Sequence, residues 1–572
     1  MRAYLLATTA AAALLAATSA HAQDATWLLN PGSRTFNTAT NWNPAVVPTN
    51  TAIFGASNTT LISFQPFTTT SIGTLQFNSD APAYFFATSD GLFTSISVTG
   101  AGIVDNSANA PTFIVGNQAN LSFRNASTAG DATIITNAGG ITIFADSATG
   151  GNARLIANAG GVFDISSLST GGMTAGSIEG GGTFQLGSKQ LTVGSNNLST
   201  TVSGVITDTG GGSLVKTGTG ILALSGTNTY TGPTTVDAGV LIVNGSIASS
   251  SLTTVNSGAA LFGTGTVGST VVNSGGFLVP GNSPGTMTVA GNLALQSGAF
   301  YIVQVNPTTA STTNVSGTAS LAGTVGGIFA PGSYVTRSYT ILTAAGGVSG
   351  RFDAGAVRGL PAGFRPSLSY TGNAVVLTLT AQLVPRPTPP TPTPTPFTPT
   401  PASTPFTSIL PPVPGLPVLP EQPSTAPPLP PFTTNQLNVG LAIDNFFNNG
   451  GTLPPTFVSL YGLSGSNLTN ALDQLSGEPA TGAQKVAFQL SDQFLNVMLD
   501  PFVDGRSGVG GADHPALGFA PNHAAGHRAR LRLGAEGAPS AGAGLRAALD
   551  RVGRCLRRQQ PHHRRSRRER QP

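Results

Sequence analysis

Residues 210–246 read GGGSLVKTGTGILALSGTNTYTGPTTVDAGVLIVNGS, and residues 261–298 read LFGTGTVGSTVVNSGGFLVPGNSPGTMTVAGNLALQSG. Short apolar runs recur through both stretches, at 222–224, 241–243, Leu278, 287–289 and 293–295. Within them apolar and polar residues alternate, the period of a strand with one buried face. Gly, Asn, Ser and Thr fill the gaps, residues that accept positive φ or bond to their own backbone. No window has helical spacing. Between Gly210 and Gly298 the only charges are Lys216 and Asp237, so Thr, Ser, Asn and backbone must cover the surface. Many short, evenly spaced strands fit either a sandwich or a solenoid. The same texture continues over about 350 residues, beyond the size at which a single sandwich core stops growing. That favours a mainly β, parallel β-helix: roughly 15 turns stacked at about 4.8 Å, a rod on the order of 70 Å long.

The register of Gly212, Leu214, Lys216, Gly218, Gly220, Leu222, Leu224, Gly226, Asn228, Tyr230 and Gly232 closes on Gly239, Leu241, Val243 and Gly245. It resembles the autotransporter-associated β-strand repeat, here at 210–245, found in passenger domains of Gram-negative type V secretion proteins. One complete copy stands out. The resemblance implies a right-handed β-helix passenger that is exported, presented at the outer membrane and cell surface, and handled on the way by the Sec translocon and periplasmic chaperones.

The ends of the chain frame that reading. Residues 1–22 have the build of a secretory signal: Arg2, an apolar core from Leu5 to Ala17, then Ala20-His21-Ala22. A single cysteine, Cys555, excludes a disulfide framework and any cysteine-based metal site. The formal charge of +4 conceals two unlike parts. Residues 1–521 carry 13 Lys and Arg against 19 Asp and Glu, whereas 522–572 carry 13 Arg against 3 acids.

Between the ends the sequence divides by texture. Residues 23–298 continue the strand pattern, opening on a stretch that holds Trp27 and Trp42, the only tryptophans. An open solenoid end must be covered, which predicts that this pair caps the first turns; a sugar-binding pair is the alternative. Residues 299–384, with dense strands near Ile341 and at 375–379, resemble the carboxyl-terminal cap of such passengers. Residues 385–432 hold 20 of the 42 prolines. They read as a linker that would span up to about 150 Å as polyproline II. Residues 433–500 form the helical region, with Val486, Leu490, Phe494 and Val497 on one stripe. The string NALDQLSGEPATGAQ resembles the segment that joins passenger to translocator barrel. Such a barrel needs well over 200 residues, at about ten per membrane strand plus turns. Residues 501–572 instead turn to Arg, Ala, Gly, Pro and His without alternation, as a shifted reading frame of GC-rich coding sequence would give. The expectation is a chain without its own barrel and a disordered basic tail, halted in the periplasm.

Motifs for chemistry are sparse. Gly281-Asn-Ser283-Pro-Gly285 satisfies G-x-S-x-G, but a nucleophile elbow needs a strand-to-helix turn and a base. No histidine lies between residues 22 and 513, so no Ser-His-Asp triad fits within the rod. Gly263-Thr-Gly265-Thr-Val-Gly268 matches G-x-G-x-x-G without a following helix to aim amides at a phosphate. Regularly spaced aspartates of calcium-binding solenoid turns are missing. Asp146, Asp164 and Asp208 remain as candidates for an acidic pair that cleaves glycosides. His514, His523, His527, His562 and His563 sit in the basic tail, where zinc or nucleic-acid binding stands against a solvated segment. The sequence therefore predicts no catalytic, cofactor-binding or metal site, no cofactor and no nucleic-acid partner. It points to a non-enzymatic surface protein serving adhesion or aggregation through host-surface or cell–cell ligands. The alternative is a secreted β-helical enzyme acting on polysaccharide.

Overall fold

A computed structural model describes residues 23–88, 93–282, 284–361, 363–385, 406, 411–416, 432–476 and 494. The chain divides into two compact units after residue 490, and all described residues but Phe494 lie in the first. That unit is a parallel β-solenoid of about 13 turns, close to the roughly 15 expected.

Up to residue 171 the turns lay their strands in two lateral sheets, and from Gly172 onward in three. Ser213–Lys216, Ile221–Leu224 and the bridge at Thr227 make one turn; Thr234–Val236, Gly239–Val243 and Ser246–Ile247 make the next. Strands in successive turns pair parallel and in register, Leu222 with Leu241 and Leu241 with Leu261. The turn length varies: Thr253 pairs with Thr270, seventeen residues on, whereas Thr324 pairs with Ala354, thirty residues on. The extra residues leave the sheet corners as loops, so ladder spacing is kept while sequence spacing drifts.

Alternation decides which side chains enter the core. In Gly239–Val243, Leu241 and Val243 point inward, and Val240 and Ile242 point outward. Stacking in register puts like on like: Phe86 lies over Phe113 with centroids 4.6 Å apart, and Phe123 over Phe144 at 5.0 Å. Outside the core, amide side chains ladder in the same way, Asn158 Nδ2 donating to Asn137 Oδ1 at 2.7 Å and Asn273 Nδ2 to Asn256 Oδ1 at 2.8 Å.

Both ends are closed. At the amino-terminal end Trp42–Asn43 runs antiparallel to Ala25–Trp27. Trp27 and Trp42 are each 2% exposed and meet edge to face at 4.9 Å. Their indole nitrogens donate to the Thr59 and Phe36 carbonyls. Rings so buried serve as the cap and offer no sugar platform. At the other end Ser338–Ala344, Ala374–Ala381 and Phe364–Tyr370 pair antiparallel.

Two helices, Thr434–Asn448 and Gly465–Ser476, then return to this end. The first starts on a capping box in which Thr433 and Gln436 satisfy each other's backbone amides. Asn448 bonds both the amide and the carbonyl of Ala381, as a neighbouring strand would, at 2.8 and 2.9 Å. The carboxylate of buried Asp444 accepts from the Leu383 amide and from the Tyr461 hydroxyl. The helical stripe expected at Val486, Leu490 and Val497 lies outside the described residues, as do the signal segment and the tail histidines.

Candidate functional site

The carboxylates singled out in the sequence are spent on turns. Asp146, itself at φ 57°, accepts from the Asn125 amide at 2.9 Å, and Asp164 accepts from the Ser166 amide at 2.8 Å. Asp208 Oδ2 accepts from the Gly212 amide and from both the amide and hydroxyl of Thr231, each at 2.8 Å. Asp164, Gln185 and Thr207 are in register, so Asp208 stands one residue past the position two strands along. Burial pushes Asp208 up, but its hydrogen bonds from Thr231 and Gly212 prevail and hold it below the ordinary carboxylate value. A general acid needs the opposite shift. The arrangement locks a corner.

The Gly281–Gly285 motif connects Phe277–Pro280 to Thr286–Val289, and Gly281 bridges to Gly263 of the preceding turn; Ser283 itself lies outside the described residues. The strand-to-strand setting lacks the helix that a nucleophile elbow requires. Among the described residues no three His, Cys, Asp or Glu side chains group as a metal site.

The most unusual group is Lys216. It ends the strand Ser213–Lys216 at an inward position, in register with Val193 and Val236, and is 1% exposed. Among the described residues no acid is paired with it. Its ammonium instead donates to the carbonyls of Thr217, Gly218 and Ala238 at 2.6, 3.0 and 3.2 Å, tying two successive turns at one corner. Burial pulls its pKa down to about 8. Gly218 makes the corner possible: φ is +64°, and a Cβ there would lie 1.9 Å from the Gly194 carbonyl oxygen of the turn before. The K-T-G-T-G string is thus a corner clamp, a charge held by backbone dipoles where the strand leaves the sheet. The sequence marks Lys216 as a rare charge and as a position of the repeat, without showing its burial. Its place in the Val193–Val236 column was the available signal, since alternation from Leu214 sends it inward.

The clamp lies within the segment that a protein-family model identifies: residues 214–243 match the passenger-associated-transport-repeat. The chain carries an autotransporter-associated repeat. Two curated proteins are similar over longer stretches. An extracellular serine protease of Serratia marcescens is 36% identical over 164 residues, 27% of this chain and 15% of that protein. The adhesin BmaC autotransporter of Brucella suis biovar 1 (strain 1330) is 35% identical over 172 residues, 27% of this chain and 5% of that protein. The chain therefore matches only a small part of the length of either relative. With the solenoid, the repeat and these likenesses, the architecture resembles that of an autotransporter passenger. Among the described residues no helix is long and apolar enough to cross a membrane.

Proposed function

We propose that this chain is a non-catalytic passenger, a rod whose exported surface mediates adhesion or aggregation. The observation that carries the reading is the use of Asp146, Asp164 and Asp208 as turn locks, with Asp208 held ionised by three donors. Around them the surface repeats amide and hydroxyl ladders, such as Asn137 with Asn158 and Thr149 with Thr174. Such a surface offers many weak, similar hydrogen-bonding contacts along its length. Their combined avidity exceeds any single contact when the partner surface is also repetitive. The likeness to an adhesin supports this reading. The likeness to a serine protease covers 15% of that protein, and residues 23–513 of this chain contain no histidine to serve as a triad base.

Beads coated with the full chain should clump or hold to cell surfaces, and the same preparation should leave a panel of polysaccharides and peptides uncut. Turnover that disappears in Asp164→Asn or Asp208→Asn would replace adhesion with the polysaccharide-cleaving alternative.

A further inference from the structure

One lateral sheet departs from the polar exterior of the rod. On the sheet that includes Thr234–Val236 and Thr253–Val255, the outward column is mixed, with Val215, Thr235, Thr254 and Val271 in register. On the sheet that includes Gly239–Val243, the outward residues form two apolar columns. Ile221, Val240, Ala260, Phe277 and Phe300 are in register in one; Ala223, Ile242, Phe262 and Val279 make the other. This outer cluster is separate from the core, and Val279, Ala260 and Ile302 within it are fully buried. Small Ala260 between Val240 and Phe277 leaves a notch in the first column.

The notch is filled by the proline-rich segment. The Leu416 amide donates to the Val413 carbonyl at 3.1 Å, and Gly415 has φ +81°, with Pro414 before it. Those are the marks of a type II turn, with Pro at its second position and Gly at its third. The turn directs Val413 and Leu416 together onto the cluster. Gly415 approaches so closely that a Cβ would stand 3.1 Å from Val240 Cγ2 and 3.7 Å from the Phe262 ring. A second anchor, Phe406, bridges in parallel to Gly355 at the far end of the same sheet. Gly355 lies five strands along this sheet from Val240, about 24 Å.

We propose that this outer groove is a recognition site for an aliphatic-Pro-Gly-aliphatic turn, filled in the resting protein by the chain's own residues 413–416. The ligand class follows from the fit: two aliphatic flanks for the columns, Pro to preset the turn, and Gly because any larger residue meets Val240. Among the described residues, 411–416 meet the sheet through side chains and make no backbone bond to it, so the site can accept the same sequence from outside once its own turn is displaced. This goes beyond adhesion by the polar faces and does not depend on it.

The test uses the full chain and a fluorescein-labelled peptide of residues 409–418, ILPPVPGLPV, read by anisotropy. Val413→Asp with Leu416→Asp should release the internal turn, and this variant should bind the peptide. Wild type should bind it about tenfold more weakly or less, because the tethered turn competes at a high effective concentration. Adding Ile242→Asp to the released variant should abolish binding. A peptide carrying Gly415→Ala, which leaves the protein untouched, should also fail to bind the released variant. The proposal is overturned if the released variant does not bind, if wild type binds equally well, or if either the Ile242→Asp protein or the alanine peptide binds unchanged.

Discussion

Replacing Lys216 with Met should remove a pH dependence that its buried amine confers. In the folded chain this ammonium is 1% exposed, flanked in its column by Val193 and Val236, and burial brings its pKa from 10.5 to about 8. The unfolded chain keeps the proton up to about pH 10.4, the folded chain only to about 8. From pH 8 upward the unfolded state therefore holds more protons, and stability rises with pH by about 1.4 kcal/mol per unit. By pH 9.5 the gain is about 2 kcal/mol at most. Methionine carries no proton and should show no such rise. At pH 7 the variant leaves the carbonyls of Thr217, Gly218 and Ala238 without this donor, a loss of about 1–3 kcal/mol. Buried Tyr230 and Tyr301 are pushed above the ordinary tyrosine value, so they stay protonated throughout this window. Urea unfolding followed by β-sheet circular dichroism at pH 7 and 9.5 gives the difference for each protein. Wild type should gain about 2 kcal/mol relative to the variant between the two pH values. Parallel behaviour would refute the reasoning, since it would mean that the carbonyl clamp offsets the whole cost of burial.

Two further substitutions address the ends of the rod. Asp444→Ala removes the acceptor shared by the Leu383 amide and the Tyr461 hydroxyl, at a cost of about 1–3 kcal/mol. Amides of 434–448 and 465–476 should then lose hydrogen-exchange protection while those of 239–243 keep theirs; unchanged helix protection would show that the helices dock without this bond. Phe54→Ala opens the aromatic cap, where Phe54 stacks on Phe77 at 5.1 Å and meets Trp42 edge to face at 5.6 Å, and should cost about 3–5 kcal/mol. Because solenoid turns are stabilised by their neighbours, the loss should be local to the first turns. The fluorescence of Trp27 and Trp42 should report unfolding at lower urea than circular dichroism does, and coincident transitions would contradict the local cap.

Much of this architecture was written in local pattern. Alternation at 222–224, 241–243 and 293–295 named the strands, because a strand's side chains reverse face at every residue whatever lies beside it. The Gly-rich spacing named the corners, since residues such as Gly218 occupy conformations closed to other side chains. The repeat at 210–245 carried the family likeness because corner, strand and clamp are set within a single turn and need no distant partner.

What alternation cannot tell is what lies on the far side of a strand. Val240, Phe262 and Phe277 face outward and are covered by Val413 and Leu416, more than a hundred residues away. Lys216 is one of two charges in 210–298, and only its column of valines shows that it is buried. Asp146, Asp164 and Asp208 read as candidates for an acidic pair, and only the folded corners show their oxygens committed to backbone amides. Local sequence determined strand, turn and inward face, because each depends on a few consecutive residues. The tertiary structure decided burial of the charge, engagement of the carboxylates and occupation of the outer groove, because each depends on which turn, and which returning segment, stacking brings alongside.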